Sequence, residues 1–265
     1  MKHILKNAEP AALSAWKTQE AARLESYYSA NNANAAWNHL SSNPPAHPES
    51  GIQYYSKEEL TLELLKEQGY LCCYCNRNIH TSMPKIGEIE FNDRRTTVEH
   101  LEAKEADARN HTFRYENLAA SCMGGETLHK GTKPRVSYCN LRRQNTPLAI
   151  MPTKMECEQY IYYTLDGQIL GDTHEIETTL HDVLGLHFFD AARKAAIRAY
   201  YYSNVEEHEG WEGNEKDRPE LKVVSTDNAR QIIKELSKKD KQTHGYQEFC
   251  QAIIQVLKND ILGDV

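Results

Sequence analysis

Apolar residues fall at helical spacing in several separate stretches of the chain. Leu13, Trp16, Leu24, Tyr27 and Tyr28 give residues 8–40 a partial helical period, and Pro10 suits a first helical turn. Ser56-Lys57-Glu58-Glu59 is a capping box, with Ser56 at the N-cap and Glu59 three residues on. Leu60, Leu64 and Leu65 line one face of the helix it opens, and Gly69 is placed to stop it. Tyr70–Cys75 follows as a strand or the entry to a metal knuckle. Residues 159–170 predict a β-hairpin: Tyr160, Tyr162 and Thr164 favour strand, Asp166-Gly167 turns, and Gln168-Ile169-Leu170 returns. Helices are predicted over 174–185, 189–203, 227–239 and 245–262. The last carries Phe249, Ile253, Val256, Leu257 and Ile261 on one face.

Between these elements the pattern breaks. Three prolines within residues 41–50 exclude a helix interior and mark a linker or exposed loop. Residues 76–135 are mostly polar with little periodicity, so something other than a large apolar core must hold that region. Residues 206–220 carry seven carboxylates against Lys216 and Arg218 and read as a solvated acidic loop. The order suggests an N-terminal helical segment and linker at 1–55, a central unit at 56–150, and a C-terminal hairpin and helical region at 151–265. The fold class is α+β, mostly α.

Composition narrows the function classes. The 265 residues include only 13 glycines and 9 prolines, which favours helix over a turn-punctuated all-β chain. The longest unbroken apolar run is Tyr70–Cys75, far short of the ~18 residues of a membrane helix, so no membrane association is expected. No apolar run follows Met1–Asn7, so a secretory signal is not expected and a cytoplasmic location is. Lys plus Arg total 31 against 38 acids, a net charge of −7. A uniformly basic nucleic-acid coat is thereby excluded, but a local basic site is not. Residues 127–145 supply one, with Lys130, Lys133, Arg135, Arg142 and Arg143 and no acid.

Seven cysteines in a reducing compartment point to metal rather than disulfides. Cys72 and Cys75 form C-x-x-C, and Cys122 and Cys139 lie downstream; four thiolates suit one tetrahedral structural zinc. His129 lies between the second pair and can replace one of them. Cys73 reads as a bystander, and Cys157 and Cys250 as small buried apolar groups. A redox pair at Cys72 and Cys75 would need a helix starting at the motif within a βαβ unit, which is not visible.

Val98-Glu99-His100-Leu101 lies between the cysteine pairs, Asn117-Leu118 precedes Cys122, and Asn140-Leu141-Arg142-Arg143 follows Cys139. This order resembles the HNH (ββα-metal) nucleases. The resemblance implies a ββα-metal core framed by zinc, with helical flanks. It implies that Glu99 binds a catalytic Mg²⁺ or Mn²⁺, that His100 is the general base, that Asn117 orients His100, and that Asn140 is the third signature position. Arg142 and Arg143 would then bind phosphate, with Lys130 and Lys133 beside them. Such chemistry needs a base active near neutral pH and a hard cation to offset phosphate charge. Asn117 also has a simpler reading, as a helix cap.

The opening Met1–Lys6 with Pro10 and Leu13, the Leu64–Cys75 segment, Ser121–Gly125, Pro147-Leu148 with Pro152, and Leu184–His187 resemble PtuB-like HNH proteins over roughly residues 1–200. The chain departs from that pattern at Tyr138, at Arg143-Gln144 and at Gly185-Leu186-His187. The resemblance implies an antiphage effector of the Septu and retron type. It would cut DNA or tRNA and work with a PtuA-like ABC/SMC-type ATPase. Two further readings stand beside it: a zinc module that binds nucleic acid or a partner without catalysis, and a thiol enzyme.

Overall fold

The structure is a computed structural model that describes residues 1–40, 55–79, 96–125 and 136–263. The Pro-rich segment, His129, Lys130, Lys133 and Arg135 lie outside the described residues. About half of the described chain is helical and two small antiparallel sheets complete an α+β fold. Among the described residues no helix is long and apolar enough to cross a membrane.

Three short helices open the chain: α1 (Ala11–Gln19), α2 (Ala21–Ser29) and α3 (Ala33–His39). In α4 (Lys57–Gln68) both halves of the capping box form, and Gly69 closes the helix in the left-handed region at φ 60°. Tyr70–Ile79 makes a tight knuckle, closed by an isolated bridge between Leu71 and Asn78. The polar region then yields β1 (Thr96–His100), α5 (Ala108–His111) and β2 (Leu118–Cys122). The two strands are antiparallel, with His100 opposite Leu118 and Thr96 opposite Cys122. The five-residue α6 (Cys139–Arg143) follows, so two strands and a helix stand in sequence around the cysteines.

Helix α7 (Glu156–Gln159) leads into the hairpin of β3 (Ile161–Tyr163) and β4 (Ile169–Gly171), turned at Asp166-Gly167 as the sequence suggests. The predicted 174–185 helix is α8 (His174–Thr178) followed by a wider π turn at Thr179–Val183. Next come α9 (Asp190–Tyr201), α10 (Val205–Glu209), α11 (Thr226–Leu236) and α12 (Cys250–Leu257). The acidic stretch therefore carries a short helix, not only a loop. Helix α12 starts five residues later than the pattern predicts. Residues before it dock on the knuckle instead, with the Tyr246 amide donating to the Gly69 carbonyl and the Phe249 amide to that of Asn76. Buried residues from all three sequence segments form one continuous core, which α12 enters with seven of its eight residues buried.

The outer edges of β2, β3 and β4 are closed by side chains. The Gln68 amide acts as a one-residue strand beside β2: its Oε1 accepts from the Ala120 amide at 2.6 Å and its Nε2 donates to the Ala120 carbonyl at 2.8 Å. Gln255 does the same for β3, accepting from the Tyr163 amide and donating to the Ile161 carbonyl. On β4, Glu177 accepts from the Gly171 amide and the His181 ring donates to the Ile169 carbonyl. An unsatisfied buried peptide group costs about 1–3 kcal/mol. Gln68→Met is therefore expected to lower unfolding stability by about 2 kcal/mol in a urea titration. An unchanged midpoint would show that the amide is dispensable to the sheet.

Candidate metal centre and the His100 site

Cys72 and Cys75 sit on the knuckle, Cys122 ends β2 and Cys139 opens α6. All four are buried, and their sulfurs lie within 4.8 Å of one another, with Cys72 and Cys139 at 4.0 Å. Four thiolates at ~2.3 Å from one ion would stand about 3.8 Å apart, so the group can hold a metal such as zinc. The Cys122 amide donates to Cys72 Sγ at 3.3 Å, the kind of support that steadies a thiolate. Burial pushes the Cys72 thiol up, but hydrogen bonds from Cys122, Cys139, Cys73 and Cys75 outweigh it and hold this thiol well below its ordinary range. Gly124 lets the last two ligand segments meet. Its φ is 74°, and a Cβ there would lie 2.2 Å from the Tyr138 carbonyl. Cys73, Cys157 and Cys250 are buried outside the group, as expected.

The knuckle reaches β1 through a buried ion pair. Glu99 is 4% exposed; it accepts a hydrogen bond from the Tyr74 hydroxyl at 2.8 Å and pairs with the Arg143 guanidinium. Burial pushes the Glu99 carboxyl up, and Arg143 and Tyr74 pull it back. Arg143 is 1% exposed. Its other hydrogen bonds go to the carbonyls of His100 at 2.8 Å, Leu101 at 2.5 Å and Thr146 at 3.0 Å. Two expectations are thereby corrected. Arg143 is not open to phosphate, because its donors are spent on Glu99 and on the end of β1. Glu99 is not open to a catalytic cation, because its carboxylate is enclosed by Tyr74 and Arg143. Alternation along β1 explains the difference: Glu99 turns inward and His100 to the opposite face.

The His100 ring is held by a backbone carbonyl. Its Nε2 lies 3.1 Å from the Thr112 oxygen, which accepts only, so Nε2 carries the proton and Nδ1 is the lone-pair nitrogen. No described residue bonds to Nδ1. Trp37 of α3 meets the ring edge-on at 4.7 Å between centroids. Burial, then the nearby Lys104 charge, lowers the imidazole pKa to about 4, so the ring is neutral at pH 7.

The Asn117 side chain makes no hydrogen bond to the His100 ring, a third correction. Its side chain accepts from the Glu102 amide at 2.7 Å and donates to the carbonyls of Glu102 and His111 at 2.9 and 2.8 Å. It cinches the loop between the strands, and the loop presents Thr112 to the ring. Asn140 lies half-buried on α6, one turn before Arg143. Arg142 is half-buried, donates to the Asp182 carbonyl at 2.8 Å and lies over the Phe188 ring. Sequence reasoning missed Tyr74, Thr112, Trp37, Lys57 and Lys104. Tyr74 had a signal, its place inside C-x-x-C; a carbonyl such as that of Thr112 has none. No family model and no curated protein matches the chain.

Two outcomes follow from this geometry. The purified protein should carry one zinc by elemental analysis. Cys122→Ser and Cys139→Ser should lose it together with their cooperative unfolding, because a structural zinc contributes on the order of 10 kcal/mol; Cys73→Ala should keep it. For His100, a folded pKa below the unfolded value means the folded state binds fewer protons. The resulting stability is present above pH 6.5 and is lost as pH falls towards about 4. At about 1.4 kcal/mol per unit, the loss reaches at most about 3 kcal/mol. Between pH 7 and 4, the stability of His100→Phe should therefore fall less steeply than that of the wild type; parallel curves would contradict the buried neutral ring.

Proposed function

We propose that the chain is an HNH-type endonuclease that hydrolyses phosphodiester bonds with His100 as general base. The observation that carries this reading is the state of the His100 ring. Its Nε2–H is committed to the Thr112 carbonyl, among the described residues its Nδ1 lone pair is left to accept a proton, and burial keeps the ring neutral by lowering its pKa to about 4. A base in this state can take a proton from water as the water oxygen attacks phosphorus and the P–O bond to the leaving oxygen breaks. Asn117 and Arg143 are positioning residues: one braces the loop that carries Thr112, the other fixes the carbonyl of His100 itself. The two strands and α6, framed by the four thiols, match the order of elements that the sequence resemblance implies. The antiphage role, the DNA or tRNA substrate and the PtuA-like ATPase partner rest on that resemblance alone.

The described residues do not fit the expected Mg²⁺ or Mn²⁺ site. Glu99 is enclosed, and Glu105, the other carboxylate near the ring, pairs with Lys104 at 3.2 Å. The steps above therefore use protein groups only. The enclosure of Glu99 also favours a second reading, a zinc module that binds nucleic acid or a partner without cutting it.

Cleavage of duplex DNA, single-stranded DNA and tRNA separates the two. The wild type and His100→Ala are compared with Mg²⁺, Mn²⁺ or EDTA, with and without a PtuA-like ATPase. A general base contributes about 100- to 10,000-fold, so His100→Ala should lose that much rate while keeping its zinc. Cutting at the wild-type rate would overturn the assignment of the base. Folded, zinc-loaded protein that cuts nothing in any condition would support the second reading.

A further inference from the structure

The surroundings of His100 are positively charged, and the sequence gives little sign of it. Trp37, which meets His100 edge-on, has the Lys57 ammonium over its ring at 4.9 Å from the centroid. Lys57 is the first residue of the 12-residue α4, where the helix terminus adds its own partial positive charge. Lys104 lies four residues beyond His100, in the loop that Asn117 cinches. It is near enough for its charge to act on both the imidazole and the Lys57 ammonium. Three elements thus bring two ammonium groups to the ring: α3 through Trp37, the start of α4, and the loop after β1.

The cluster is short of negative charge. Lys57 has no carboxylate partner among the described residues. Glu58, the next residue of α4, is exposed, Glu59, two residues along, is bound to Ser56 in the capping box, and Glu105 pairs with Lys104. Two like charges held together beside a neutral ring repel one another, and a bound anion removes that repulsion. Arg143, which the sequence offered as the phosphate ligand, is buried on the main-chain side of His100, with its charge balanced by Glu99 and its donors spent on Glu99 and on the carbonyls of His100, Leu101 and Thr146.

We infer that Lys57 and Lys104 form a clamp that holds a phosphate of a nucleic-acid backbone against His100, with Trp37 fixing the Lys57 arm. The inference rests on the nuclease reading for its ligand class. In this arrangement Trp37 serves as a support for a lysine, because Lys57 covers a face of the indole. The clamp contacts phosphate and so reads no base sequence.

The test is binding without cleavage. A fluorescein-labelled 12-nucleotide single-stranded DNA with phosphorothioate linkages is titrated in EDTA and followed by anisotropy at several salt concentrations. Wild type is compared with Lys57→Met, Lys104→Met, the double variant, Lys57→Arg and an exposed control, Lys238→Met; methionine keeps the apolar stem over Trp37. Each Lys→Met change at the clamp should weaken binding about 5- to 10-fold and reduce the salt slope by about 1. Lys57→Arg should retain binding, and Lys238→Met should behave as wild type. Clamp variants that bind like Lys238→Met overturn the inference. So does a wild type that binds inorganic phosphate by ³¹P line broadening, in a Lys57- and Lys104-dependent way, but not the oligonucleotide. Weakened binding in the clamp variants of a protein that never cuts upholds the clamp and fails the nuclease reading. Cleavage at wild-type rate in the double variant upholds that reading and fails the clamp.

Discussion

The structure depends on the meeting of four thiols from three places in the chain, a group that can hold one metal. The elements that carry them are weak on their own. A two-stranded sheet of five residues per strand is marginal in water, and a five-residue helix is far below the length at which isolated helices persist. Cys72 and Cys75 on the knuckle meet Cys122 at the end of β2 and Cys139 at the start of α6. Tyr74 rides on the knuckle and Arg143 on α6, so where the thiols meet, both of them reach Glu99. Arg143 then takes hold of the carbonyl of the next residue, His100. The distance from the thiols to the candidate base is bridged by a short series of bonded groups.

The buried Glu99–Arg143 pair is better understood as a device for register than for stability. Removing two charges from water is costly, and a well-packed apolar pair is often as stable. What an apolar pair cannot do is satisfy three backbone carbonyls, two of them at the end of a strand. Arg143 does so at His100, Leu101 and Thr146, and Glu99 balances its charge. The main chain at His100 is thus fixed on one side by a guanidinium, and its ring on the other by Thr112.

What the sequence made legible was local chemistry with a fixed spacing. The C-x-x-C of Cys72 and Cys75, the capping box at Ser56 and Glu59, and the Asp166-Gly167 turn were all readable, because each is defined by residue types a few positions apart. Strand β1, Thr-Thr-Val-Glu-His, has no apolar alternation to announce it; its inward residue is a carboxylate whose partner lies 44 positions away. Arg143 sat in a basic stretch and so looked exposed. Its burial is a tertiary fact, set by the carbonyls that it meets. Asn117 was expected to orient the ring, but its side chain bears on the ring only through the loop and its Thr112 oxygen, which no residue type encodes. The start of α12 was misplaced because Tyr246 and Phe249, apolar enough for a helix face, are used to grip the knuckle.

The side chains that close the sheet edges limit how other molecules can attach. An exposed strand edge is a template on which a foreign extended peptide, or a second copy of the chain, can lay down a further strand. At β2, β3 and β4 that template is already filled by Gln68, Gln255, and the Glu177 and His181 pair. Strand addition at those positions would first have to expel a side chain that returns to its place intramolecularly. Attachment there must instead be by surface fit, side chain to side chain, and the same stoppers guard these small sheets against runaway cross-β stacking.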